Sequence, residues 1–202
     1  SLFKYIRLMH FKVIFVISLI FSIQNNQAKA WYGKFVNLLT QSDGITMKVE
    51  INTKQYDSVY SENGTISIQN KSIFLFKTNN ESILFIDDTI KTWDKNQKKL
   101  IIEEKIEGDI NIFDILLGEV QGLELVGSIS ENGMNNLSYE VPTLGFTGNL
   151  ILKKNNSVPR SLSIIYDKDY YVVLKVNKIV KEKLNIVNEF KPLNIEVIDL
   201  RE

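Results

Sequence analysis

The sequence predicts a mainly β protein: one long antiparallel sheet in a single domain, curled because so many strands cannot stay flat, with two small helices against it. Three observations predict it. From Ile45 the apolar residues alternate strictly with polar ones, the period of a half-buried strand. After it, short apolar runs recur at close intervals, separated by Asn-Gly and Asp/Asn-rich punctuation, the composition of turns. Only two short stretches carry a helical period.

In chain order, Val13 to Ile23 is almost wholly apolar, follows Lys4, Arg7 and Lys12, and precedes Ala28-Lys29-Ala30. A basic start, a short apolar run and small residues two apart form a secretory signal. The run is too short for a spanning helix, which needs roughly 20 apolar residues. Residues 1–30 are therefore expected to be cleaved, leaving one domain over residues 31–202, soluble in the periplasm. Trp31 to Gln41 sets Trp31, Tyr32, Phe35, Val36, Leu38 and Leu39 on one side at helical spacing. Ile45, Met47, Val49 and Ile51 begin the sheet. Strands follow at Gly64–Gln69, Ile73–Lys77, Ile83–Asp87, Thr89–Trp93 and Lys99–Glu103, with Glu62-Asn63-Gly64, Asn79-Asn80-Glu81 and Asp94-Lys95-Asn96 as punctuation. Ile110 to Val120 predicts a second helix, ended by Gly118. A second meander runs through Leu123–Ser130, the Asn132-Gly133 turn, Leu137–Val141, Asn149–Lys153, Ser161–Tyr166 and Tyr170–Val176. A polar helical stretch or loop, Ile179–Asn188, leads to a closing strand at Ile195–Leu200.

Composition narrows the function. The first thirty residues hold four basic residues and no acid, and taking those four from 24 leaves 20 basic residues against 24 acidic ones. A mildly acidic body argues against nucleic acid, whose binders concentrate Lys and Arg on one face. There is no cysteine, and the one histidine, His10, lies in the leader. Thiolate nucleophiles and Cys-based metal sites are thereby excluded, and a domain without histidine lacks the usual general base. The expectation is no enzyme, no cofactor and no metal.

The remaining polar motifs have plain structural readings. Asp87-Asp88 and Glu103-Glu104 are neighbours on strands, so each pair points to opposite faces rather than across one substrate. Asp94-Lys95-Asn96 lacks the rest of a calcium loop and reads as a turn. More informative are Ile73-Phe74-Leu75-Phe76 and Ile83-Leu84-Phe85-Ile86, apolar on both faces of their strands. One face can lie under a helix; the other must bury against something else. A filled two-sided core and a ligand cavity are both open on these residues, and a curled sheet with little helical cover tilts toward a cavity lined by aromatics.

The order of features resembles the outer-membrane lipoprotein carrier family, the LolA-like periplasmic chaperones. The resemblance rests on the leader, a short helix, the alternating strand, Gly64-Thr65-Ile66-Ser67-Ile68, Ile73-Phe74-Leu75-Phe76, Glu81 to Phe85 with Asp87, Thr89-Ile90 with Trp93-Asp94, and Asn188 through Asp199. It implies an incomplete antiparallel β-barrel whose mouth is covered by short helices, enclosing an apolar cavity. On this resemblance the cavity is lined by Met47, Val49, Ile66, Ile68, Phe74, Phe76, Ile83, Phe85 and Trp93. It further implies a monomeric carrier whose partners are acylated lipoproteins as cargo, an inner-membrane ABC-type exporter and an outer-membrane acceptor. A carrier of free lipid or glycolipid, or an envelope interaction domain, are the alternatives on the same scaffold. Phe74 falls where the family has an aromatic linked to cargo release. Asn70-Lys71 stand where the family often has Arg-Pro; Asn70 becomes the lid or gating candidate, able to hydrogen-bond but without a guanidinium fork.

Overall fold

The computed structural model describes residues 26–40, 44–70, 72–105, 112–118 and 120–201. The apolar run at Val13–Ile23 lies outside them. The first element, α1, covers residues 26–39. It starts before the predicted Trp31 and turns Ala28, Phe35 and Leu39 inward, all at most 1% exposed.

Two meanders follow. The first comprises β1 (Ile45–Gln55), β2 (Ser58–Gln69), β3 (Ile73–Lys77), β4 (Glu81–Ile86), β5 (Thr89–Asp94) and β6 (Lys99–Glu104). After α2 (Ile112–Leu117), the second comprises β7 (Glu124–Glu131), β8 (Met134–Val141), β9 (Phe146–Lys153), β10 (Pro159–Ile165) and β11 (Tyr170–Lys181). A one-turn helix α3 (Ile186–Glu189) and a last strand β12 (Glu196–Asp199) complete the chain. All twelve strands form one curved, unclosed sheet in the order β12-β6-β5-β4-β3-β2-β1-β11-β10-β9-β8-β7.

The local chemistry of the turns follows the sequence at several points. Asn132 and Gly133 have φ of 50° and 72°, the double positive that a type I′ hairpin requires. Asp94 Oδ1 accepts the backbone N–H groups of Asn96 and Gln97, and Asp167 Oδ1 those of Asp169 and Tyr170, which is how Asp seeds a turn. Gly118 ends α2 with φ of 74°.

Two expectations are corrected. Asn63-Gly64 is not a turn: it lies inside β2, and the β1–β2 hairpin turns at Tyr56-Asp57. Gly64 is needed for another reason, because a Cβ there would stand 2.7 Å from the Phe76 ring. The sheet is also not wholly antiparallel, since β12 pairs parallel with β6, Val197 against Leu100. The chain returns from β11 over the outer face, by way of α3, and so reaches the β6 edge running in the same direction as β6.

The registers explain the doubly apolar strands. Ile68, Phe74 and Phe85 stand opposite one another in turn, as do Ile66, Phe76 and Ile83. These side chains share the inner face with Met47 and Val49 of β1 and with Leu137, Leu150, Leu162 and Leu174 from the second meander, in one continuous core. The alternate residues, Ile73, Leu75, Leu84 and Ile86, form a smaller outer core under Leu184, Ile186 and Phe190.

Candidate functional site

The inner face of the sheet is the candidate site, and among the described residues two helices cover it, with Val120 and Leu123 of the segment after α2 beside them. Phe35 and Leu39 of α1 and Ile115 and Leu116 of α2 pack on it, each at most 1% exposed. Two polar ties hold these helices in place. The Tyr32 hydroxyl donates to the Ile115 carbonyl at 3.1 Å, and Lys105 Nζ donates to Asp114 Oδ1 at 2.5 Å. Burial pushes the Tyr32 pKa up to about 12, so its hydroxyl keeps the donated proton throughout the neutral range.

Eight of the nine residues expected to line a cavity share this face. Met47, Val49, Ile66, Ile68, Phe74 and Phe76 are buried in it, and Ile83 and Phe85 pack against it half-buried. The Phe74 and Phe85 rings meet edge to face, 5.6 Å between centroids, a geometry aromatic pairs favour. The ninth, Trp93, is separated from them. Its register partner is Ser82, whereas Ile83 stands opposite Thr92, so Trp93 belongs to the outer face. There it meets the Phe190 ring at 6.5 Å, under Lys95 Nζ at 5.7 Å. An odd-numbered strand position and an aromatic ring could not reveal which face it would take, because both faces of this strand pair are apolar.

Asn70 sits exposed in the β2–β3 turn with φ of 54°, a conformation asparagine tolerates better than most residues. Its neighbour Gln69 makes the tie to a helix: Gln69 Oε1 accepts the Ile186 N–H of α3 at 3.2 Å. That helix covers the outer face, so this turn anchors the C-terminal return and not α1 or α2.

Sequence reasoning passed over two inner residues. Tyr139 lies across Gly148, its register partner, and donates its hydroxyl to the Ser163 carbonyl at 2.6 Å. Asn135 is fully buried, yet both polar atoms of its amide lack a hydrogen-bond partner among the described residues. The signal for it was present: Asn135 heads the inward series Asn135, Leu137, Tyr139, Val141, and a polar residue at the head of an inward series marks a buried amide. An unpaired buried amide costs about 1–3 kcal/mol. It is a ready partner for a carbonyl or N–H brought in from outside.

No group of three His, Cys, Asp or Glu side chains able to hold a metal occurs among the described residues. No described helix is long and apolar enough to cross a membrane.

No protein-family model matches the chain, and no curated protein does. Solved structures do. The chain is similar to a conserved protein of Thermus thermophilus, at 10% identity and a TM-score of 0.57, covering 86% of this chain and 99% of that one. The two chains share one fold. Also similar is a LolA superfamily protein of Nitrosomonas europaea, at 10% identity, TM-score 0.46, covering 81% and 97%. A further neighbour is a domain described as outer-membrane lipoprotein-sorting, from Vibrio parahaemolyticus, at 6% identity, TM-score 0.41, covering 79% and 92%. LolA superfamily and lipoprotein-sorting structures thus stand among the structural neighbours of this chain.

Proposed function

We propose that the protein is a periplasmic carrier that shelters the acyl chains of lipoproteins between its curled sheet and the helices α1 and α2. Cargo would arrive from an inner-membrane ABC-type exporter and leave to an acceptor at the outer membrane. The observation that carries this reading is the cover of the inner face. A continuous apolar surface built from nine antiparallel strands is closed, among the described residues, by two helices of 14 and six residues and the short segment carrying Val120 and Leu123, and not by a second sheet.

The mechanism needs no bond chemistry. Each acyl methylene that leaves water contributes about 0.8 kcal/mol, so a chain that displaces a helix from the inner face replaces one apolar contact with another. The two states are then close in energy, and a competing apolar site can shift the balance toward release. Phe74, Phe76 and Phe85 would meet the chain, and the Asn135 amide would take up a carbonyl at its polar end. Asn70 is exposed in its turn, so on this reading lid closure rests on Tyr32 and Lys105 and not on the gating position inferred from the family.

An environment-sensitive lipid probe is expected to bind near stoichiometrically and to be displaced by an acylated peptide. Absence of binding would favour a second reading, an envelope interaction domain with a filled core. The burial of Phe74 at 1% and Met47 at 0% speaks for that one. Mass spectrometry of natively purified protein separates lipoprotein cargo from free lipid or glycolipid.

The leader is part of the same proposal. Cleavage after Ala30 would cut inside α1 and remove the buried Ala28 while keeping Tyr32, Phe35 and Leu39. N-terminal sequencing of exported protein is expected to begin at Trp31. A first residue upstream of Ala28 would overturn the cut site and leave that alanine in the core.

A further inference from the structure

We propose that the end of the molecule where α1 meets the β9–β10 hairpin and the end of β11 docks on the anionic headgroups of a phospholipid bilayer. Two adjoining depressions open there, of about 340 and 300 Å³, sharing Leu38 between them. The first is lined by Trp31, Lys34, Asn37 and residues 154–157, the second by residues 158–160, Val176 and residues 177–179, among others. Together their walls carry Lys34, Lys153, Lys154, Arg160, Lys178 and Lys181, and among the described residues not one acid.

Charge is what makes this end unusual. The chain as a whole has as many acidic as basic residues, so a wall of six cations with no acid among the described residues is a local concentration. Of these, Lys34, Lys153, Lys154, Arg160 and Lys178 form no ion pair among the described residues, whereas six other cations of the protein do. The registers add a seventh charge, because Lys48 of β1 stands directly opposite Lys178 of β11. Like charges at directly opposed strand positions repel. An anionic surface laid across them relieves that repulsion and supplies a counter-charge that Lys34, Lys153, Lys154, Arg160 and Lys178 do not find among the described residues.

The apolar parts of the walls fit the same occupant. Trp31, Leu38, Val158 and Ile179 lie beside the cations, and an indole beside lysines is the combination that settles at a membrane–water interface. The attraction is electrostatic and short-ranged, falling off within a Debye length of about 8 Å at physiological salt. It delivers the molecule to a surface reversibly and does not insert it. The inference does not depend on the carrier reading, since it concerns the outer end of the fold and not the inner face.

The test is sedimentation of the full protein with vesicles of phosphatidylcholine alone and of phosphatidylcholine mixed with phosphatidylglycerol. Binding is expected to the mixed vesicles alone and to be lost near about 1 M salt, where the Debye length is about 3 Å. Each cation near such a surface is worth about a fivefold gain in partition. Replacing exposed Lys34, Lys154 and Lys178 together by Gln is therefore expected to weaken binding roughly a hundredfold. The same replacement at Lys91, Lys98 and Lys191, away from both depressions, should leave it within a few-fold. Thermal melting of each variant checks folding, and the salt series on the unaltered protein gives an answer that no variant can confuse. Equal binding to both vesicle types, insensitivity to salt, or equal losses in the two triple variants would each overturn the proposal. Failure to pellet with either vesicle would overturn it too, and would point to an acidic protein surface instead.

Discussion

Replacing Phe74 by Ala is expected to lower stability by about 3–5 kcal/mol, the usual cost of emptying a buried Phe site. The ring is 1% exposed, stands between Ile68 and Phe85 in register, and meets the Phe85 ring edge to face. For a chain of this length that is a fall of roughly 6–20 °C in melting temperature, read by circular dichroism. Phe74→Glu should cost more, because an unpaired carboxylate would replace the ring in an apolar site. A change of less than about 1 kcal/mol for Phe74→Ala would mean that the ring faces open space and not packed neighbours. The same variant separates the two functional readings when probe binding is measured well below its melting point. If acyl chains run along the inner face, probe affinity drops with the lost ring. If Phe74 only fills a core, the folded fraction behaves as the unaltered protein does.

Gly148→Val is the second large effect. A Cβ at this position would stand 2.1 Å from the Ser163 carbonyl oxygen and 2.3 Å from the Tyr139 hydroxyl. The first is backbone of the neighbouring strand and cannot swing aside. The second can move only by giving up its 2.6 Å hydrogen bond, which leaves a buried hydroxyl and a carbonyl without partners. Overpacking costs about 1–3 kcal/mol and the stranded polar group about 1–3 more. Chemical denaturation should therefore show a loss of about 2–6 kcal/mol. Tyr139→Phe alone should cost only about 1 kcal/mol, since the ring and its packing stay. Should Gly148→Val cost no more than Tyr139→Phe, the close crossing of ring over strand would be wrong.

Much of this architecture was legible because the sheet obeys a strict period of two. Ile45, Met47, Val49 and Ile51 alternate in sequence and all point inward or toward the core. The Asn132-Gly133 and Asp167-Lys168-Asp169 turns carry their geometry in their own side chains. What misled was glycine. Asn63-Gly64 has the composition of a hairpin turn, but the Phe76 ring on the next strand takes the space of the missing side chain, a contact made across a register that sequence does not print. Trp93 failed for a related reason. Where both faces of a strand pair are apolar, composition places a residue in a core without saying in which one. The helical stretch or loop expected at Ile179–Asn188 is shorter than that, since β11 runs to Lys181 and α3 covers only Ile186–Glu189, and four helical residues have too little periodicity to show that Leu184, Ile186 and Phe190 cover the outer face.

The strand order also governs how this chain can fold. The two meanders, β1–β6 and β7–β11, join neighbours in sequence and can form as local hairpins. The seam between them joins Ile45 to Lys181 and Gln55 to Tyr170, across more than half of the chain. Closing so long a loop is entropically slow, and topologies dominated by such pairings fold late. The seam ladder is therefore completed late, and only the β12–β6 ladder draws on residues further along the chain. Until β11 is available, the inner edge of β1 stands unpaired, and a ribosome or a translocation channel that still holds residues beyond 170 keeps the domain open. Folding of this protein is in that sense a post-release event, set by where in the sequence the partner of its first strand is written.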